Sequence, residues 1–384
     1  MNNNNQKELT DGHSPYLLYK SDISYFSGKI EAYLKYKGIP HQAQDIDYFN
    51  LNEIAHATGV KKVPAIKTHD NLWLYDSTPM MQWFETRYPQ VPILPQDPAL
   101  RFLTLLLEDY GDEWLWRPAM WWRWVPKASR LSVGWGLGNS LFNRFIARPV
   151  GWYFGFRQLH EWLWHDGVDK SNADTVRDML FREFEFLEPL LEQQPYLMGS
   201  HPSAADFGFF ASMFRHFGND PVSAEVMRRQ APNTYEWTAR LWNAKPHKLA
   251  SQQQWAEPAA EFWQPLFKRI TEDYLPYLHA NAQAWQQDKK QFSYRGKTLT
   301  LKNTKTTHYR VYCLEVLQQE YAKLDNTAKQ RLESWFGNSE LQKQLQRQVI
   351  ESGLTQELIL PRNPVTNPPA KPSLKTLLFG QARN

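Results

Sequence analysis

Residues 16–29 read Tyr16-Leu17-Leu18-Tyr19-Lys20-Ser21-Asp22-Ile23-Ser24-Tyr25-Phe26-Ser27-Gly28-Lys29, and the reading of this stretch decides the fold. Tyr16–Tyr19 is a short apolar run of the kind that forms a buried strand. From Ser24 onward the period changes. Phe26, Ile30, Tyr33 and Leu34 recur at helical spacing, and Gly38 supplies the left-handed residue that ends such a helix. A strand that turns this sharply into a helix sets Ser24 and Ser27 at the helix's positive end.

The pattern continues outward. A second strand is expected near Gln42–Asp47, and the apolar runs Val63–Ile66 and Leu72–Tyr75 flank Asp70-Asn71 as a hairpin. Met80, Met81, Phe84 and Tyr88 then share a helical face, with Ser77 suited to the N-cap and Pro79 to the first turn. The order strand, helix, strand, strand, strand, helix predicts an α/β unit. Prolines at 89, 92, 95 and 98 make a stiff, extended linker, so a domain boundary is placed there. Beyond it the chain reads helical to about Trp285. Leu180, Phe184, Leu187 and Leu191 form one stripe, and Ser203-Ala204-Ala205-Asp206 starts another helix as a capping box. Gln291–Leu301 alternates around Arg295-Gly296 as a hairpin, Arg310–Leu324 returns to helix, and the proline-rich tail 361–384 reads as disordered.

Composition sets limits. The 384 residues suit about two domains of roughly 150 each. Net charge is +4, from 44 basic and 40 acidic residues, which makes no overall case for nucleic acid. Cys313 is the single cysteine, so neither an intramolecular disulfide nor a cysteine zinc cluster can form. Met1–Gln6 is polar, and no apolar run reaches the ~18 residues of a membrane span, so a soluble, cytoplasmic protein is expected. His160 and His165 stand five apart, on different helix faces, and no metal site is expected. Gly134-Trp135-Gly136-Leu137-Gly138 lacks the preceding strand and the spacing of a dinucleotide fingerprint, and reads as a flexible loop.

Four features, taken in order, resemble the glutathione S-transferase superfamily. They are the turn Ser24–Lys29, Lys62-Val63-Pro64-Ala65 before the third strand, Tyr75-Asp76-Ser77 before the next helix, and the capping motif Ser203–Asp206. The likeness covers about residues 14–285, and the chain looks like an enlarged bacterial-type member. It implies an α/β thioredoxin-like glutathione-binding domain (14–90), an all-α C-terminal substrate domain (99–285), and a C-terminal extension with a hairpin and helices (286–360). The implied activity is conjugation of the glutathione thiolate to apolar electrophiles, a detoxification chemistry with glutathione as co-substrate and no metal. A homodimer is implied as well. The competing reading is a non-catalytic binding or scaffold protein on the same fold, including a membrane-peripheral one.

The resemblance also implies a site. The thiolate is the nucleophile, and a hydroxyl at a helix N-terminus stabilises it. Ser24 corresponds to that donor; Tyr25 stands where the family usually has proline, so its hydroxyl is a second candidate. A cis Val63-Pro64 bond would present the Val63 backbone to the cysteinyl part of glutathione. Asp76 would face the γ-glutamyl ammonium, Ser77 its carboxylate, and Lys61 or Lys62 the glycyl carboxylate. Each has an ordinary structural reading too: helix cap, strand-starting proline, solvated lysine. Trp114–Trp164 holds nine of the 17 tryptophans, seven basic residues and one acid, Glu161. It reads as core and pocket wall, as a membrane-interface patch, or as a partner surface. Tyr110, Trp114, Arg117 and Trp121, at helical spacing, are the candidates for an electrophile pocket.

Overall fold

The computed structural model describes residues 16–365 apart from 142–143, 250–251 and 356. Its first unit is thioredoxin-like and comprises β1 (Tyr16–Lys20), α1 (Tyr25–Lys37), β2 (His41–Asp45), α2 (Tyr48–Thr58), β3 (Ala65–Lys67), β4 (Trp73–Tyr75) and α3 (Ser77–Arg87). The sheet runs β2-β1-β3-β4, with β1 parallel to β2 and the other pairs antiparallel. Leu18, Ile66 and Leu74 lie side by side across three strands and are fully buried. On the opposite face Tyr19, Ala65 and Trp73 pack with Ile46, Ile54 and Ala57.

α2 is absent from the order expected from sequence. Its caps are nevertheless written in the chain. Asp47 accepts from the N–H groups of Phe49 and Asn50, Asn50 returns a bond to the Asp47 N–H, and Gly59 ends the helix at φ 80°. Asn50, Asn52 and Glu53 interrupt the apolar period, which hides the helix from a pattern reading. At α3 the cap is Asp76 rather than Ser77. The Asp76 carbonyl accepts from the Met80 N–H, and Asp76 makes the turn out of β4 alone, at φ 72°. That left-handed conformation is uncommon for a residue bearing a Cβ.

After the proline-rich connection the chain is helical: α4 (Pro98–Asp109), a π-helical turn Tyr110–Trp114, α5 (Trp116–Trp124), α6 (Lys127–Leu141), α7 (Arg144–Trp162), α8 (Ala173–Gln193), α9 (Ala204–Ser212), α10 (Pro221–Gln230), α11 (Pro232–Trp242), α12 (Ala260–Arg269) and α13 (Leu275–Gln286). The Gly134–Gly138 stretch is therefore helical, inside α6, and not a loop. All nine residues of α9 are buried, as befits a central helix that is apolar all round. Its capping box is closed by Asp206, which accepts from the Ser203 N–H (2.9 Å) and hydroxyl (2.6 Å), the Leu197 N–H (2.8 Å) and the Trp237 indole (3.0 Å). α9 crosses the end of α4 at Gly208 and Gly111. A Cβ on Gly208 would stand 2.6 Å from the Glu108 carbonyl oxygen, so only glycine allows this approach.

The extension adds β5 (Gln291–Arg295) and β6 (Thr300–Lys305), paired as the expected hairpin, then α14 (His308–Ala322), α15 (Asn326–Phe336) and α16 (Glu340–Leu345). The chain then returns to the first unit. Arg362 exchanges two backbone hydrogen bonds with Trp73 on β4 (2.8 and 2.9 Å), and the Val365 N–H donates to the Ala57 carbonyl. Residues 361–365 thus cover the edge of the sheet instead of starting a free tail; residues 366–384 lie outside the described residues.

Candidate functional site

Strand register places the site. Tyr19, Ala65 and Tyr75 lie in one row across β1, β3 and β4. The chain therefore leaves β1, enters β3 and leaves β4 at one end of the sheet. Ser21–Ser24, Val63-Pro64 and Asp76-Ser77 emerge there together.

Ser24 is the N-cap of α1, and its hydroxyl accepts the Ser27 N–H at 3.3 Å. A hydroxyl that accepts in this way still has a proton to donate. Ser27 is fully buried and its hydroxyl accepts the Ser21 N–H at 3.3 Å, so it ties the turn together. Tyr25 points into the core. Its hydroxyl donates to the Gly111 carbonyl at 2.5 Å, and its ring meets Trp116 and His216 edge-on. Burial holds the Tyr25 phenol well above its ordinary range. The structure therefore separates the two hydroxyl candidates, with Ser24 half-exposed at the sheet end and Tyr25 committed to packing between the units.

The Val63-Pro64 bond is cis, and Val63 is half-buried. Lys61 and Lys62 are exposed. Ser77 is buried in the first turn of α3. Asp76 accepts a 2.8 Å hydrogen bond from the hydroxyl of Tyr309 on α14. Burial pushes the Asp76 carboxyl up to about 6; the Tyr309 bond and the charges of Lys29 and Lys62 pull the other way, and Glu113 adds to the rise.

Beneath this end of the sheet lies a buried charge cluster that the sequence reading missed. Lys29 of α1 is fully buried and donates to Glu108 at 2.5 Å and to Asp112. Thr78 of α3 donates to the same Glu108 at 2.6 Å. Burial works against the Lys29 charge, but Asp112 and Glu108 outweigh it and hold the ammonium above the usual lysine range. Burial likewise pushes the Asp112 carboxyl well up despite Lys29, and its Oδ1 has no hydrogen-bond partner. The cluster locks α1 and α3 to the end of α4. The one legible signal for it was a lysine on the apolar side of a helix, which pattern alone reads as a snorkelling surface residue. Nothing local to α14 marks Tyr309 as a site neighbour.

The proposed pocket residues lie mostly in the core. Tyr110 is fully buried and donates to Glu183 at 2.8 Å. Trp114 packs edge-on to Tyr274 and against Tyr277. Arg117 is fully buried between Asp166 (3.1 Å) and the Tyr277 hydroxyl (2.6 Å). Trp121 is half-buried against Trp122. The stripe was real, but α13 and the turn before it cover its face, and an aromatic stripe looks the same whether it lines a pocket or an interhelical contact. Cys313 is buried and burial pushes its thiol well up, which leaves it a poor nucleophile.

Comparison with known proteins places this arrangement. The model of the glutathione S-transferase N-terminal domain matches residues 18–92, and that of the C-terminal domain matches residues 143–244. Glutathione S-transferase U6 of Arabidopsis thaliana is 32% identical over 92 residues; the match covers 23% of this chain and 41% of that protein's length. Among solved structures, a glutathione S-transferase from Rhodospirillum rubrum F11 aligns at 15% identity with a TM-score of 0.41, covering 63% of this chain and 96% of that one. One from Methylobacterium radiotolerans JCM 2831, solved with glutathione sulfonate, aligns at 16% identity with a TM-score of 0.40, covering 64% and 100%. The two glutathione S-transferase domain models thus match in their family order, the first on the thioredoxin-like unit and the second within the helical unit that follows it.

Proposed function

We propose that the protein binds glutathione at the end of the four-stranded sheet and transfers its thiolate to apolar electrophiles, acting as a homodimer. The observation that carries this reading is the strand register that brings Ser24, Val63 and Asp76-Ser77 to one place. Ser24, at the positive end of α1, donates to the sulfur. The Val63 backbone pairs with the cysteinyl unit. The first turn of α3 takes the γ-glutamyl carboxylate, Asp76 faces the ammonium, and Lys62 meets the glycyl carboxylate. A helix N-terminus and one hydroxyl together supply about 1–3 kcal/mol, or about one to two pKa units on the bound thiol. The core placement of Tyr110, Trp114 and Arg117 leaves the electrophile's position to the half-exposed rim near Ser24.

The test is retention of the full chain on immobilised glutathione together with conjugation of a generic aromatic electrophile. Retention with conjugation supports the reading; neither one sinks it. Retention without conjugation selects the second reading, a non-catalytic glutathione-binding protein. That reading draws its support from Tyr309, whose hydroxyl already occupies Asp76.

A further inference from the structure

α6 and α7 form a helical hairpin whose outer face has no role in the site. The two helices touch backbone to backbone: a Cβ on Gly134 would lie 2.5 Å from the Gly151 carbonyl oxygen, and one on Gly151 2.2 Å from that of Gly134. Glycine at both positions brings Leu131 and Trp135 of α6 beside Arg148 and Trp152 of α7, around a groove of about 420 Å³. Trp152 is 66% exposed and Trp135 47%. The Arg148 guanidinium lies 4.8 Å from the Trp135 ring. Four residues further along, Phe156 is 52% exposed, and its ring leads through His160 (4.6 Å) to Trp164 (4.0 Å). Trp135, Trp152 and Trp164 are three of the four exposed tryptophans among the described residues.

The charge of this segment is nearly all of one sign. From Lys127 to Trp164 the chain carries Lys127, Arg130, Arg144, Arg148 and Arg157 against a single acid, Glu161, which pairs with His165. A near-neutral protein has concentrated cations and indoles on one hairpin. We propose that this face docks on an anionic lipid bilayer, with the indoles and Phe156 at the headgroup level and the arginines on lipid phosphates. Indole rings favour that zone because one edge is polar and the body is not. Basic residues close to an anionic leaflet each add roughly a factor of five in affinity. No described helix is long and apolar enough to cross a membrane, so the contact lies on the surface. A second copy fits less well, since it would set like charges against each other. Duplex nucleic acid would use the cations on its phosphates but would leave the exposed indoles without a partner.

The experiment is co-sedimentation of the full chain with phosphatidylglycerol–phosphatidylcholine vesicles and with pure phosphatidylcholine vesicles, at low and high salt. The expected result is binding to the anionic vesicles, weakened by salt and at least about tenfold weaker on the neutral ones. Trp152→Ser with Phe156→Ser, and separately Arg148→Glu, should each reduce anionic binding at least about fivefold, with circular dichroism and melting temperature unchanged. These side chains are exposed, so the fold does not depend on them. No vesicle binding overturns the proposal, as does equal binding by wild type and both variants. So do a homodimer that dissociates in the variants with no vesicle binding, and a duplex oligonucleotide that displaces the vesicles. The proposal is independent of the glutathione reading, because none of these measurements involves the ligand.

Discussion

The hydroxyl of Tyr309 donates a 2.8 Å hydrogen bond to Oδ1 of Asp76, across 233 residues of chain. It ties the C-terminal extension to the residue that turns β4 into α3. Arg362 strengthens the tie just before Asp76: its backbone pairs with Trp73 and its guanidinium donates to the Tyr75 hydroxyl at 2.6 Å. The sheet end that carries the candidate site is therefore partly roofed by the far end of the molecule.

This contact sets a pH dependence. Facing an ammonium, Asp76 must be ionised, and burial has pushed its carboxyl up to about 6. Glutathione affinity should be full above that pH and fall as pH drops through about 6. Tyr309→Phe removes a bond that favours the carboxylate, so the midpoint should move upward. Titration calorimetry across pH reads both. A pH-independent affinity would place the ammonium elsewhere.

Ser77→Ala should weaken glutathione binding by about 1–3 kcal/mol, the cost of leaving a charged group short of a hydrogen bond. Because the N-cap is Asp76, the same change should barely move the melting temperature. Calorimetry and a thermal melt on one preparation check the two halves. Unchanged affinity in a folded variant would move the γ-glutamyl position.

The thiol of bound glutathione should titrate below its ordinary value near 8.5. Ser24→Ala should raise that titration, read from thiolate absorbance against pH. Tyr25→Phe should leave it in place while costing about 1–2 kcal/mol of stability, since the Gly111 carbonyl loses its buried partner. Cys313→Ala should leave the titration unchanged. A shift in Tyr25→Phe and none in Ser24→Ala would reverse the assignment.

Lys29→Met strands Glu108 and Asp112 as buried carboxylates without their cation, and should cost about 3–5 kcal/mol at neutral pH. Burial already pushes the Asp112 carboxyl up, and losing Lys29 removes the charge that pulls it down. Its ionisation then costs stability increasingly as pH rises, and protonation at low pH relieves it. The deficit of the variant should therefore shrink as pH falls. Urea midpoints at pH 5 and pH 8 test the sign; an equal deficit at both would mean that lost packing, not charge, dominates.

Much of the architecture was legible in the chain because it is local. Ser24 and Gly38 bracket α1, Ser203 and Asp206 open α9, and Leu180 to Leu191 stripe α8, each through side chains within a turn or two of one another. α2 escaped because polar residues broke its period, and Gly134–Gly138 misled because glycine reads as loop until a second helix is seen pressing against it. The residues proposed for the sheet end came from motifs that resemble a family, because the register that brings them together pairs Tyr19 with Ala65 and no local pattern conveys it. What the sequence could not convey is which buried faces meet. Arg117 and Trp114 became core because α13 and the turn preceding it lie over them, and Tyr309 reached Asp76 because the extension folds back on the first unit. Local propensity and capping act within a few residues and are written in order along the chain. Contacts across 233 positions depend on how whole elements pack, and only the tertiary structure decides them.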